Sequence, residues 1–189
     1  GAHYALCDIR AAKVKPGQQV LVYGATGAIG SAAVQLLKHF GATVTAVCNS
    51  KNVALVKALG ADTVIDYQTQ DFTKTAKLYD FIFDAVGKSS FKQCKPLLTH
   101  KGIYISTELG KNGVNILLAL TTPIGGGKKL LFPLPTINKK DVIFLKELVQ
   151  SGAFKPVIDR KYNLDQIVEA YKYVESGEKT GNVILKVAE

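Results

Sequence analysis

The residues best suited to chemistry in this sequence form one glycine-rich run, Gly24-Ala25-Thr26-Gly27-Ala28-Ile29-Gly30. Glycines at this spacing permit a tight turn, let the backbone approach an anion, and let a helix pack closely on a strand. The N–H groups at the start of a following helix attract phosphate oxygens. The run therefore predicts a binding site for the pyrophosphate of a dinucleotide.

A glycine motif alone is a weak signal, so the elements around it decide its meaning. Residues 19–23 contain a short apolar run that predicts a strand, residues 29–40 have apolar side chains at helical spacing, and residues 43–48 predict a second strand. This order of strand, turn, helix and strand is the context that the dinucleotide fingerprint requires. The alternative is a glycine turn that only packs tightly.

The residues after the second strand bear on which dinucleotide would bind. NAD-binding proteins usually place an acidic residue here for the ribose 2′-hydroxyl, whereas this sequence reads Cys48-Asn49-Ser50-Lys51 and has no carboxylate. Ser50 can donate a hydrogen bond to a 2′-phosphate, and Lys51 can supply a positive charge. The sequence thus favours NADP(H) over NAD(H). The alternative is that Lys51 only begins the next helix in solvent.

Strand and helix patterns alternate along most of the chain, which predicts an α/β fold with a doubly wound, Rossmann-type parallel sheet. Further strands are expected at residues 63–66, 79–84, 102–106 and 129–134, and helices at residues 2–12, 52–59, 90–98, 114–121 and 140–150. After residue 152 we expect an extended segment at 155–162, a helix at 164–176 and a strand at 182–187. Asn163 is the expected N-cap of that helix. The last strand is expected to pair antiparallel with the segment near Val157.

Composition limits the function classes that remain. With 189 residues, of which 47% are hydrophobic and 21% charged, the chain has enough apolar surface for one full domain. No apolar stretch is long enough to predict a membrane span. The net charge is +9, but 22 of the 24 basic residues are scattered lysines, which argues against nucleic-acid readout and suits anionic small molecules.

Thiols and imidazoles show no metal-binding pattern in the sequence. Cys7, Cys48 and Cys94 stand about 40 residues apart without a CxxC pair, so neither disulfides nor zinc is indicated and a reducing compartment fits. The three histidines, at positions 3, 39 and 100, are dispersed and expected at the surface. Motifs of serine hydrolases, zinc proteases and P-loop proteins are missing from the sequence. We therefore predict no metal site and nominate no catalytic residue.

Four segments of the sequence read KVKPGQQVLVYGATGAIG, AVQLLKHFGATVTAVCNS, ALGADTVIDY and YDFIFDAVG. Together they resemble the cofactor domain of the medium-chain dehydrogenase/reductase superfamily, in its zinc-independent, zeta-crystallin-like quinone oxidoreductase branch. The closing LVQSGAFKPVIDRKYNLDQIVEAYKYVESGEKTGNVILKV resembles the C-terminal end of that family. Short-chain dehydrogenases share the glycine turn, but none of the eight tyrosines here has Lys four residues later.

This resemblance implies where a cofactor would lie. The implied contacts are Gly24, Thr26, Gly27, Ala28 and Ile29 for the pyrophosphate, Asn49, Ser50 and Lys51 for the 2′-phosphate, Tyr67 for the adenosine, and Val86, Gly87, Ser106 and Thr107 for the nicotinamide half. Structural alternatives stand beside these roles, since Tyr67 can simply cover the sheet edge and Ser106 can simply end a strand. Asp84, although it lies in a family motif, is expected to be structural.

The same resemblance implies an NADPH-dependent oxidoreductase whose parent reduces quinones or α,β-unsaturated carbonyls by hydride transfer. The family's N-terminal catalytic domain has no counterpart here, so residues 1–152 would be the cofactor domain and residues 153–189 would pack on that absent domain. The chain alone would bind cofactor without turnover. A homodimer through residues 129–134 and a cytoplasmic location are also expected. The alternative is a nucleotide-binding interaction or sensor module without catalysis.

Overall fold

The fold is built around one parallel sheet. The computed structural model describes residues 1–136 and 138–187. The six strands are β1 (Gln19–Tyr23), β2 (Thr43–Cys48), β3 (Thr63–Asp66), β4 (Tyr79–Asp84), β5 (Leu98–Ser106) and β6 (Lys129–Leu131). They lie in the order β3-β2-β1-β4-β5-β6, and all neighbouring strands are parallel. This order confirms the predicted doubly wound α/β fold.

Helices cover both faces of the sheet, because its strands are apolar on both sides. In β1, Val20 and Val22 contribute to one hydrophobic core and Leu21 to the other. The helices are α1 (Ala2–Ala11), α2 (Ala28–His39), α3 (Val53–Ala58), α4 (Phe91–Cys94), α5 (Val114–Thr121) and α6 (Lys139–Gln150). The first core lies beneath α1, α2, α3 and α6, and the second beneath α4 and α5. Within the described ranges, every helix is too short or too polar to cross a bilayer.

Three predicted element boundaries near prolines are wrong. The helix expected at residues 90–98 ends at Cys94, a 3₁₀ turn follows, and β5 begins at Leu98 rather than at Gly102. Pro96 in that turn lacks the N–H group that a continuing α-helix needs. The strand expected at residues 129–134 ends at Leu131, two residues before Pro133, which cannot donate to a strand ladder.

The chain after residue 152 forms a strand, a helix and a second strand, which are β7 (Ile158–Asn163), α7 (Ile167–Glu175) and β8 (Asn182–Lys186). The two strands are parallel, so the expected antiparallel pairing is wrong. The reason is that α7 returns the chain to the starting end of β7, which makes the connection a crossover and not a hairpin. The helix expected from residue 164 begins as a 3₁₀ turn, Leu164–Gln166, and becomes α-helical at Ile167. A capping box between Asn163 and Gln166 makes Asn163 the N-cap of that 3₁₀ turn.

Hydrogen bonds fasten this β7–α7–β8 segment to the rest of the molecule. The side chain of Gln35 in α2 donates to the carbonyl of Lys155 at 3.1 Å and accepts from its N–H at 2.8 Å. The N–H of Gly181 donates to the carbonyl of Thr26 at 2.7 Å, and a parallel bridge pairs Gly181 with Gly27. The segment therefore contacts the glycine turn directly.

Candidate nucleotide-binding site

Steric limits require two of the glycines in the turn between β1 and α2. Gly24 has a φ of +80°, and a Cβ there would overlap the side chain of Val86. A Cβ on Gly30 would overlap the backbone of Gly24. Gly24 therefore makes the sharp turn and Gly30 lets α2 pack against it, which are two of the roles that the dinucleotide fingerprint assigns to its glycines.

Gly27 fills the third role, close approach to an anion. It precedes α2 with a φ of −69°, and a Cβ on it would meet nothing nearer than the Gly24 carbonyl oxygen at 3.8 Å. The space above the start of α2 is thus open, and the first N–H groups of a helix have no partner within it. Ala28 and Ile29 supply the first of these N–H groups. The geometry fits a pyrophosphate at this point.

A groove of about 420 Å³ opens beside the turn, near the carboxyl ends of β1 and β4. The strand order of the sheet reverses between these two strands, which is where open α/β sheets bind ligands. The predicted cofactor residues that line the groove are Gly24, Thr26, Gly27, Asn49, Lys51, Tyr67 and Val86. The predicted residues outside its lining are Ala28, Ile29, Ser50, Gly87, Ser106 and Thr107.

The buried carboxylate of Asp84 holds the loop that follows β4. Its Oδ1 accepts hydrogen bonds from the N–H groups of Val86 at 3.1 Å and Gly87 at 2.8 Å. Its Oδ2 accepts from the N–H and hydroxyl of Ser89 and from the hydroxyl of Tyr104. Burial, and next the nearby Asp84 charge, raises the pKa of Tyr104, which keeps that hydroxyl protonated as a donor. Asp84 is thus a structural residue that fixes Val86 and Gly87.

Ser106 and Thr107 lie at the same edge of the sheet. Ser106 is buried at the end of β5, and its Oγ accepts a hydrogen bond from the N–H of Glu108 at 3.3 Å. The N–H of Thr107 donates to the carbonyl of Asp84 at 3.1 Å. Both residues therefore have structural hydrogen bonds beside the predicted nicotinamide end.

An acidic residue that the sequence interpretation missed lies at the predicted ribose end. The hydroxyl of Ser50 donates to the carboxylate of Asp66, the last residue of β3. The N–H of Ser50 donates to the side chain of Gln68 at 3.1 Å, and the N–H of Gln68 donates to Asp66 Oδ1 at 3.0 Å. The sheet register places Asp66 beside Ser50, because Asp66 at the end of β3 pairs with Cys48 at the end of β2. A predicted register could therefore have found this acidic residue.

The chain is similar to known proteins in both sequence and fold. The sequence profile of a family described as zinc-binding dehydrogenase matches residues 59–185. The chain belongs to this family. It is 33% identical over 192 residues to the chloroplastic quinone oxidoreductase QR1 of Triphysaria versicolor, covering 98% of this chain and 58% of that protein. It is 32% identical over 174 residues to a chloroplastic NADPH-dependent alkenal/one oxidoreductase of Arabidopsis thaliana, covering 89% of this chain and 40% of that protein.

The fold is similar to that of a solved oxidoreductase structure. A quinone oxidoreductase from Coxiella burnetii superposes with a TM-score of 0.88 at 27% identity, over 98% of this chain and 58% of that one. The chain thus spans about half the length of the relatives it matches. These findings confirm the resemblance to medium-chain quinone oxidoreductases and support a nicotinamide cofactor.

Residues near β8 also form a wall of the groove, which the sequence interpretation did not foresee. Lys179 and Thr180 line it, together with Lys88 from the loop after β4. Lys51 adds a third ammonium group to the lining, against one carboxylate from Glu178. The excess of positive charge suits a polyanionic ligand.

Proposed function

We propose that this chain is the NADPH-binding domain of an oxidoreductase that transfers hydride to a quinone or an α,β-unsaturated carbonyl compound. The observation that carries the proposal is the groove in which the open start of α2 at Gly27 and the ammonium group of Lys51 face the same space. A diphosphate and a separate phosphate on one ligand would match these two features. The printed names of relatives, quinone oxidoreductase and NADPH-dependent alkenal/one oxidoreductase, support the substrate class.

The residues of this chain would bind and orient the cofactor. The start of α2 would hold the pyrophosphate, Ser50 and Lys51 the 2′-phosphate, and the half-exposed ring of Tyr67 the adenosine. Val86 and Gly87, held by Asp84, would lie beside the nicotinamide with Ser106 and Thr107. When bound, the cofactor supplies the hydride itself.

The remaining half of the catalytic cleft is proposed to come from an N-terminal domain that precedes this cofactor domain in the parent. The proposed division is residues 1–152 for the cofactor domain and 153–189 for the segment that packs on the catalytic domain. Supporting this, α7 and the turn before it leave five large apolar side chains exposed, namely Leu164, Ile167, Val168, Tyr171 and Val174. Exposed apolar patches of this kind mark interfaces. The isolated chain would accordingly bind NADPH without turnover.

Two further proposals concern assembly and metal use. Strand β6 lies at the edge of the sheet, and the exposed side chains of Leu117, Leu120 and Ile124 are near it, so we propose that this edge pairs two copies of the chain. A monomeric mass by light scattering at high concentration would contradict pairing. Hydride transfer by the parent is proposed to be zinc-independent, and a zinc ion found in contact with the substrate in a structure of the active parent would contradict that.

The location of the parent is proposed to be the cytoplasm. The relatives named above are called chloroplastic, so the prediction needs its own experiment. Fluorescence microscopy of the tagged full-length parent would test it, and signal confined to an organelle would overturn it.

Calorimetric titration of the 189-residue chain with NADPH and, separately, NADH tests the proposed function. Tight binding of NADPH with weak binding of NADH is expected. Equal affinity would overturn the preference for NADPH, and binding of neither would overturn the cofactor role of this chain. Hydride transfer by the full-length parent to several quinones and enones then tests the reaction, and failure with all of them would favour a sensor module.

A further inference from the structure

A second cluster of reactive side chains lies away from the groove, where α1 meets the start of α6. His3 and Cys7 are one helical turn apart on α1, and therefore lie on the same face. The buried carboxylate of Asp141, from the first turn of α6, faces them. One ligand atom from each of these three residues lies within 4.8 Å of the other two. The dispersed histidines and cysteines predicted no such cluster, because Asp141 is distant in sequence.

A backbone carbonyl completes a set of four donors. His3 Nε2 lies 3.1 Å from the carbonyl oxygen of Thr136 and 3.8 Å from Cys7 Sγ. Cys7 Sγ lies 3.9 Å from the same carbonyl oxygen. Ligands of a tetrahedral metal at bond lengths of 2.0–2.3 Å are about 3.5 Å apart. The donor atoms are therefore already near the separations that a metal ion requires.

Charge and burial at Asp141 also favour a cation. Its side chain is 4% exposed, and Oδ2 accepts a hydrogen bond from Asn138 at 2.6 Å. The other carboxylate oxygen, Oδ1, forms an ion pair with the guanidinium of Arg10, which a metal ion would have to displace. The Arg10 side chain is 47% exposed, so it can move into solvent and leave the carboxylate to a metal ion.

We propose that His3, Cys7, Asp141 and the carbonyl of Thr136 bind a divalent metal ion of borderline softness, such as Zn²⁺. Thiolate and imidazole ligands select such ions over Mg²⁺ and Ca²⁺, which prefer oxygen. Binding replaces the thiol proton of Cys7, which leaves to the buffer, and the thiolate and carboxylate together neutralise the ion. The metal would tie α1 to the segment that leads into α6.

Titration of the 189-residue chain with Co²⁺ tests this site, because cobalt bound by a thiolate in a tetrahedral site shows a sulfur-to-metal charge-transfer band and intense visible bands. We expect both, and displacement of the spectrum by Zn²⁺ but not by Mg²⁺. Cys7→Ser should abolish the charge-transfer band. His3→Gln and Asp141→Asn should each weaken metal binding at least ~10-fold. Loss of a residue that only hydrogen-bonds to a metal ligand already costs about this much, and loss of a ligand should cost no less.

Matched controls are His39→Gln and His100→Gln, which remove exposed histidines elsewhere. Both should leave the cobalt spectrum unchanged. Absence of the charge-transfer band, or equal binding in the Cys7 and His3 variants, would overturn the proposal.

A second measurement uses the unmutated chain, so it tests metal binding at Cys7 even if a variant fails to fold. Alkylation by iodoacetamide, located by mass spectrometry, reports on Cys7, since Cys48 and Cys94 are buried. Zn²⁺ should slow the alkylation of Cys7, and Mg²⁺ should not. Equal rates with and without Zn²⁺ would show that Cys7 and His3 only make a hydrogen-bonded corner with Thr136.

Discussion

The hydroxyl of Ser50 donates a hydrogen bond to the carboxylate of Asp66, so the serine predicted to contact a 2′-phosphate is turned toward a negative charge. Lys51 is the next residue and lines the groove. The proposed phosphate subsite therefore contains one cation, one hydroxyl and one competing anion. Its preference between NADPH and NADH depends on the balance among these three groups.

Replacing Asp66 with Asn should strengthen the binding of NADPH. The change removes a charge that repels a 2′-phosphate and frees the Ser50 hydroxyl from an anionic acceptor. We expect a gain of about 0.5–1 kcal/mol for NADPH, as for other partly exposed charge interactions, and little change for NADH. Calorimetry with both cofactors measures the two effects. A loss of NADPH affinity would mean that Asp66 positions Ser50 for the phosphate.

Replacing Lys51 with Glu should have the opposite effect. Loss of a charge-assisted contact is expected to weaken NADPH by about 1–3 kcal/mol while sparing NADH. Lys57→Glu is the matched control, because Lys57 is exposed on α3 and lies outside the groove lining. Equal weakening of both cofactors by Lys51→Glu would show that this lysine does not contact the 2′-phosphate.

Gly27→Val should abolish the binding of both dinucleotides. A Cβ at this position would lie 3.8 Å from the nearest atom, the Gly24 carbonyl oxygen, and the new side chain would fill the open space above α2, where the pyrophosphate is proposed to lie. Gly125→Val is a suitable control, since Gly125 also has open space around its Cβ position and lies outside the groove. Far-UV circular dichroism should be unchanged in both variants. Undiminished NADPH binding by the Gly27 variant would refute the site.

Asp84→Asn should destabilise the fold, because an amide group would face several N–H and O–H donors in place of a carboxylate. We expect a loss of ~2–3 kcal/mol in the free energy of unfolding, measured by urea denaturation. Tyr104→Phe, which removes the 3.2 Å hydrogen bond to Asp84 and the 3.1 Å hydrogen bond with the Ser89 hydroxyl, should cost about 1 kcal/mol. An unchanged free energy of unfolding in the Asp84→Asn variant would contradict the role of this carboxylate in holding the loop.

Asp8 is a second buried acid, and the free energy of unfolding should fall as the pH rises from 4 to about 7. Burial raises the pKa of Asp8 from 3.8 to about 7, so the folded state holds a proton that the unfolded state releases above pH 4. Its contribution to stability is therefore full below pH 4 and lost as pH rises to about 7. Asp8→Asn should flatten this decline and add roughly 1–3 kcal/mol at pH 8.

Urea denaturation across pH 5–8 checks the Asp8 prediction, with Glu147→Gln on the exposed surface of α6 as the control. The control should keep the slope of the unmutated chain. An unchanged slope in the Asp8 variant would rule this residue out as its source.

Strands β1 to β4 have the bounds that the sequence predicts, because each is a short apolar run between turn residues. The start of β5 was not predictable in this way. Thr99, His100 and Lys101 are too polar to read as strand, yet the preceding Leu98 pairs with Tyr79 across an irregularity. Tertiary pairing overrides local composition there.

The glycine turn could be predicted because its chemistry is local in sequence. The parts of the groove that escaped prediction are brought in by long-range contacts, as when Asp66 meets Ser50 or Lys179 reaches the groove from the segment before β8. Asp84 was expected to be structural, but only the structure shows which donors it binds. Sequence patterns therefore locate the glycine turn, whereas the residues that form the walls of the groove can be identified only once the fold is known.

The hydrogen bond from Gly181 to Thr26 has a consequence for biosynthesis. The sheet strands that flank the turn are translated before residues 179 and 180, so the wall at Lys179 and Thr180 exists only after β8 has left the ribosome. Since domains fold progressively as they emerge, a nascent chain would carry an unfinished groove until β8 has emerged. Cofactor capture then waits for β8, and chains stalled or terminated before it would not sequester the nucleotide pool.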